Sequence, residues 1–153
     1  MTAHIVCAVD FSPDSEAALQ WAAKQAQLTD AKLVLLHVVH DPASSPGFYR
    51  QIEGDWLRPM AEVAEAMLAE FLEKEEQKCR QVADLMPLET RLVSGLPAGR
   101  IVEVARELDA VLIVVGSRGR TGLPHILLGS VAERVAQTAP MPVVVVKQPE
   151  LDK

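Results

Sequence analysis

Apolar residues recur along this chain at two alternating wavelengths. Short continuous runs, such as Ile5-Val6-Cys7-Ala8-Val9, Leu33-Val34-Leu35-Leu36, Val111-Leu112-Ile113-Val114-Val115 and Val143-Val144-Val145-Val146, are separated by longer stretches with helical spacing. The first run predicts a strand over His4–Val9, with Asp10 at its carboxyl end. Ser12-Pro13 then supplies a cap and a first-turn proline for a helix to about Leu28, with Ala18, Trp21, Ala22 and Gln25 on one face. Lys32–Val39 predicts the second strand. Asp41–Gly54, with Pro42, Pro46 and Gly47, reads as a loop. A long helix is expected from about Asp55 to Asp84, carrying Met60, Val63, Met67, Phe71 and Leu72.

The second half repeats the rhythm in shorter units. Glu89–Val93 predicts a third strand, and Ser94-Gly95-Leu96-Pro97 turns the chain. A helix over Ala98–Leu108 presents Ile101, Val104, Ala105 and Leu108 inward, followed by a fourth strand at Val111–Val115. A short helix over Ser130–Thr138 leads through Pro140 and Pro142 into a last strand at Val143–Val146. Residues 1–147 read as one domain, and Gln148–Lys153 as a frayed tail. Strands that are apolar throughout, alternating with helices, point to an α/β fold with an open parallel sheet covered on both faces. In such sheets ligands settle beyond the carboxyl ends of the strands. That rule gathers Asp10, the Val39-His40 end, Gly95 and the segment after Val115 on one rim.

Composition narrows the function classes. The 153 residues carry 49% hydrophobic and 24% charged positions, the balance of a globular domain. A formal charge of −6 argues against a broad nucleic-acid footprint, which needs a basic face. Cys7 and Cys79 form neither a disulfide framework nor a Cys-x-x-Cys site, so a reducing compartment is expected. No apolar stretch approaches the roughly 20 residues of a membrane span. The first residues lack the basic and apolar regions of a leader. The cytoplasm is therefore the expected location.

The chemistry concentrates after the fourth strand. Gly116-Ser117-Arg118-Gly119, nine residues, then Gly129-Ser130 and a helix start form a geometry suited to an anion. Glycines let backbone N–H groups come close, and the helix start adds unpaired donors and a positive dipole end. Arg118 and Arg120 add positive charge. Two plainer readings stand beside this one: the glycines serve a tight turn, or Ser130 and Glu133 form a Ser-x-x-Glu capping box. Asp10 likewise either accepts a ribose hydroxyl or braces the helix that follows it. A Walker loop is excluded, because Gly119 and Gly122 are followed by Arg120 and Leu123 instead of lysine. A dinucleotide fingerprint would follow the first strand, and a nucleophile elbow needs Gly-x-Ser-x-Gly. His37 and His40, three apart on a strand, face opposite sides and do not share a metal.

The spaced motif Gly116-x2-Gly119-x9-Gly129-Ser130 resembles the ATP-binding pattern of the universal stress protein family. Val6–Ser12, Leu36-His37-Val38-Val39, Gly95-x-Pro97 and Pro142-Val143-Val144-Val145 extend the resemblance over nearly the whole chain. The resemblance implies a Rossmann-like, five-stranded sheet in the order 3-2-1-4-5, with ATP across the ends of the first and fourth strands. Asp10, flanked by Ala8 and Val9, would hold the ribose. Val38 and Val39 would border the adenine. Gly116, Arg118 and Gly119 would line the phosphate loop, closed by Gly129, Ser130 and Val131. Leu123-Pro124-His125 would shape access to it.

No nucleophile and general base stand out together, so no catalytic residue and no protein-held metal site is assigned. Any Mg or Mn is expected to arrive on the nucleotide phosphates. The leading expectation is an ATP-binding, nucleotide-responsive stress or signalling module. The alternatives are a slow ATPase or other adenine-nucleotide hydrolase, and a relative that binds no nucleotide. In the family order the last strand lies at a sheet edge, and a bare apolar edge invites a second copy. A homodimer through Val143–Val146 is expected, with neither nucleic-acid nor membrane partner.

Overall fold

A computed structural model describes residues 2–40, 57–118 and 128–148, with the side chains of 57–59 left aside. The elements run β1 His4–Ala8, α1 Pro13–Thr29, β2 Lys32–His40, α2 Leu57–Lys78, α3 Arg80–Asp84, β3 Glu89–Gly95, α4 Pro97–Glu107, β4 Leu112–Gly116, α5 Ser130–Thr138 and β5 Val143–Val146. The five strands form one sheet in the order β3-β2-β1-β4-β5, and every neighbouring pair is parallel. β5 pairs only with β4, so it is an edge.

Alternation along the strands sends side chains to two cores. Ile5, Cys7, Leu33, Leu35 and Val114 pack under α1, α2 and α3. Val6, Ala8, Leu36, Val38, Ile113 and Val115 pack under α4 and α5. Burial on both faces explains why these strands read as unbroken apolar runs.

Local signals set the start of α1 as expected. Ser12 is its N-cap, the Ser12 hydroxyl accepts from the Ser15 N–H at 3.2 Å, and Pro13 opens the first turn. The buried stripe, however, is Ala18, Leu19, Ala22, Ala23 and Ala26, while Trp21 and Gln25 are only half-buried. Small alanines let the helix approach the sheet closely, and the bulky Trp21 is displaced to the margin. Three boundaries also move. β3 continues through Gly95, which pairs with His40 at a φ of 141°. β4 begins at Leu112, leaving Val111 about half exposed. The expected long helix breaks at Cys79, whose extended backbone lets Cys79 and Val82 turn into the core. The Asp41–Gly54 loop, the helix start before Leu57 and the tail from 149 lie outside the described residues.

Candidate functional site

A cavity of about 1130 Å³ opens over the carboxyl ends of β1, β2 and β4. The floor is Ala8 and Val9 from β1, Val38 and Val39 from β2, and Val115 and Gly116 from β4. Met60, Val63, Ala64 and Met67 of α2 form one apolar wall, and Pro97 and Ile101 of α4 contribute to another. Gly129, Ser130 and Val131 close the rim at the start of α5. Of the residues assigned from sequence, Ala8, Val9, Asp10, Val38, Val39, Gly116, Arg118, Gly129, Ser130 and Val131 therefore line one space. Gly119, Arg120, Gly122 and Leu123-Pro124-His125 lie outside the described residues.

Asp10 fills one of the two roles weighed for it, bracing the helix that follows, and it also lines the cavity. Its Oδ1 accepts from the Ser12 N–H at 3.1 Å and from the Ser15 hydroxyl at 2.6 Å, which braces the start of α1. The Asp10 N–H in turn donates to the Ser15 hydroxyl at 2.9 Å. Both bonds to the carboxylate fall on one oxygen, and the residue still borders the cavity. Among the described residues its Oδ2 accepts no hydrogen bond.

The helix start differs from the capping-box expectation. The N-cap of α5 is Gly129, Ser130 is already inside the helix, and no side chain caps it. The reason is local: glycine and serine are both acceptable N-caps, and the Gly129 N–H is drawn back to the Ser117 carbonyl, fixing the extended residue there. The first-turn N–H groups after Gly129 have no helical acceptor, and the residues that carry them, Ser130, Val131 and Ala132, line the cavity. This is the arrangement an anion requires.

Arg118, expected to add positive charge beside the phosphates, is paired with an acid of α1. Its Nε lies 3.1 Å from Asp14 Oδ2, and its Nη2 lies 3.5 Å from Asp14 Oδ1. The Arg118 N–H donates to the same carboxylate at 2.9 Å, as does the Ser117 hydroxyl at 3.0 Å. Burial pushes the Asp14 carboxyl upward, but the bonds from Arg118 and Ser117 outweigh it and hold the group below its ordinary value. Gly116 serves the same junction, since a Cβ on it would meet the Asp14 backbone at 2.9 Å. Its missing side chain is needed for the contact between β4 and α1.

Two residues escaped the sequence analysis: Phe11, which lines the cavity, and Asp14, which is buried behind Arg118. Asp14 looked like an ordinary first-turn acid, and no local signal announces its partners 103 and more residues away. Phe11 adopts a φ of 68°, which costs a bulky side chain roughly 1–2 kcal/mol. Its ring is held by His37, 4.4 Å away, and by Phe71, 5.6 Å away. His37 Nδ1 donates to the Val9 carbonyl at 2.7 Å, a structural tie at the end of β1. Among the described residues no group of three or more His, Cys, Asp or Glu could hold a metal ion.

Comparison with known proteins extends this picture. The model of the universal stress protein family matches residues 1–147. A universal stress protein of Methanocaldococcus jannaschii is 38% identical over 148 residues, covering 95% of this chain and 82% of the relative. Longer mycobacterial relatives also match, and the chain spans 45–46% of their length. The universal stress protein of Archaeoglobus fulgidus in complex with dAMP superposes with a TM-score of 0.59 at 28% identity, covering 95% of this chain and 98% of that one. A universal stress protein in complex with cAMP gives a TM-score of 0.64 at 25% identity, covering 97% and 98%. With the family model spanning all five strands and the sheet in the order 3-2-1-4-5, this chain belongs to the universal stress protein family.

Proposed function

We propose that the chain binds an adenine nucleotide, ATP in the first instance, in the cavity over β1, β2 and β4. In this reading it acts in the cytoplasm as a nucleotide-responsive stress or signalling module built on one domain, residues 1–147. The observation that carries the reading is the start of α5, which no side chain caps and whose first-turn residues line a largely apolar cavity. Relatives of the same fold in complex with dAMP and cAMP support the adenine class of ligand.

The proposal assigns each part of the nucleotide to named residues. Val38 and Val39 border the base, and Asp10, beside Ala8 and Val9, receives a ribose hydroxyl. The phosphates lie between Gly116 and Arg118 on one side and Gly129, Ser130 and Val131 on the other, with Gly119 assigned to the same loop from the sequence motif alone. Mg or Mn would travel on the phosphates, where Asp10 and Glu133 are the rim carboxylates able to hold its waters. A second copy pairs along β5, whose outer edge has no neighbouring strand in the sheet.

Calorimetry with ATP, ADP and AMP tests this on the wild type and on Gly129→Val. The wild type should bind, and the branched side chain at the N-cap should remove most of the affinity. Absence of binding by the wild type would refute the reading. Product formation that depends on Asp10 would shift it toward a nucleotide hydrolase.

A further inference from the structure

One buried carboxylate stands between the anion rim and the edge of the sheet. Asp14 is 3% exposed, yet it accepts hydrogen bonds from two distant parts of the chain. Its Oδ2 takes the Ser117 hydroxyl, the Arg118 N–H and the Arg118 Nε. Its Oδ1 takes the N–H of Gln148, at 3.3 Å, just beyond the end of β5. A guanidinium carries five N–H donors in a rigid plane. Asp14 occupies the Nε and Nη2 edge, which fixes that plane and leaves the remaining donors for a ligand in the cavity that Arg118 lines.

We propose that Asp14 is a positioning residue that aims Arg118 at the ligand's phosphate and passes occupancy of that site to the end of β5. The proposal rests on the nucleotide reading of the cavity. Its physical basis is that both ends share one rigid group. A phosphate that engages Arg118 restrains the guanidinium, the guanidinium restrains the carboxylate, and the carboxylate restrains the Gln148 N–H. Hydrogen bonds to an ionised carboxylate are directional, so such a chain transmits order across a few ångströms without a large movement. The strand whose end it reaches is the edge available to another copy. A plain staple between α1 and β4 would hold Gln148 equally well with or without ligand.

The test compares ATP with adenosine, which lacks phosphate, on the wild type, Asp14→Asn and Arg118→Ala. Loss of the partner that orients a metal ligand costs about 10-fold or more in affinity, and an orienting carboxylate on a phosphate-binding guanidinium is expected to act in the same way. Asp14→Asn should therefore bind ATP about 10-fold more weakly while adenosine changes less than about twofold. In the wild type, ATP should slow hydrogen exchange of the Gln148 amide severalfold and adenosine should not. In Arg118→Ala, saturating ATP should leave that amide unaffected. Equal losses for ATP and adenosine in Asp14→Asn would overturn the proposal. So would ATP binding to the wild type without a change at Gln148, and that result leaves the nucleotide reading intact. If the wild type binds neither compound, the nucleotide reading fails and the proposal fails with it. Should Asp14→Asn not fold, the exchange measurements on the wild type and Arg118→Ala decide the matter.

Discussion

Gly116 lies flat against Asp14: a Cβ built on the glycine would stand 2.9 Å from both the Asp14 carbonyl carbon and its Cβ. The end of β4 and the first turn of α1 therefore approach as closely as backbone allows. Gly116→Ala forces two rigid elements apart where no flexible side chain can give way. Overpacking of this kind costs roughly 1–3 kcal/mol, and the melting temperature should fall by several degrees in scanning calorimetry. An unchanged melting temperature would show that the contact is not tight in solution.

Glu75 gives a pH dependence of definite sign. It is wholly buried on α2, with Oε1 accepting from Gln20 at 2.9 Å and Oε2 without a hydrogen bond among the described residues, 4.0 Å from Lys78 Nζ. Burial pushes its carboxyl above the ordinary value of 4.5, against the opposing bond from Gln20. The folded protein thus holds this proton more tightly than the unfolded chain does. The neutral acid is tolerated below pH 4.5, and stability is lost as pH rises from there through the raised value. Glu75→Gln keeps an acceptor for Gln20 and removes the charge. It should be more stable than wild type at pH 7 by about 1 kcal/mol, with the gap closing near pH 4 in paired denaturant titrations.

The opposite sign holds at Asp14. Its folded value lies below the ordinary 3.8, so its contribution is fully present above that pH and fades as pH falls through the folded value. Wild type should exceed Asp14→Asn in stability at pH 7, and urea titrations should show the difference shrinking below about pH 3. A difference that grows on acidification would contradict the assigned pairing with Arg118.

The edge strand offers a test of assembly. Val143 and Val145 pack toward α4 and α5, and Val146 packs toward α1, whereas Val144 belongs to neither core. Val144→Asp therefore charges the edge with little disturbance of the interior. If two copies pair along β5, this variant should show half the wild-type mass by light scattering. Equal masses would exclude β5 as the contact.

Much of the fold is legible in the sequence because its signals are local. Ser12-Pro13 caps and opens α1 through groups three residues apart, and Val143–Val146 is bounded by Pro142 just before it. Unbroken apolar runs mark strands buried on both faces, and the rim rule for parallel sheets brings Asp10, Val39 and Gly116 together. Less legible are positions with two locally equivalent solutions. Gly129 and Ser130 both suit an N-cap, and among the described residues it is the Ser117 carbonyl, accepting from the Gly129 N–H, that favours Gly129. The break at Cys79 is similar, since Lys78 and Arg80 are good helix formers and nothing in the chain around them forbids continuation.

By itself the sequence determined the α/β alternation, the parallel sheet, the rim that carries the site and the glycine spacing that points to a phosphate. Those properties follow from periodicity, capping and loop chemistry, each of which acts within a few residues. Tertiary structure alone decided that Arg118 is paired with Asp14, that Gly116 is small for the sake of α1, and that the chain beyond β5 returns to the same carboxylate. Such contacts join residues about a hundred positions apart, and a local pattern of polar and apolar residues carries no record of which distant group will fill the space beside it.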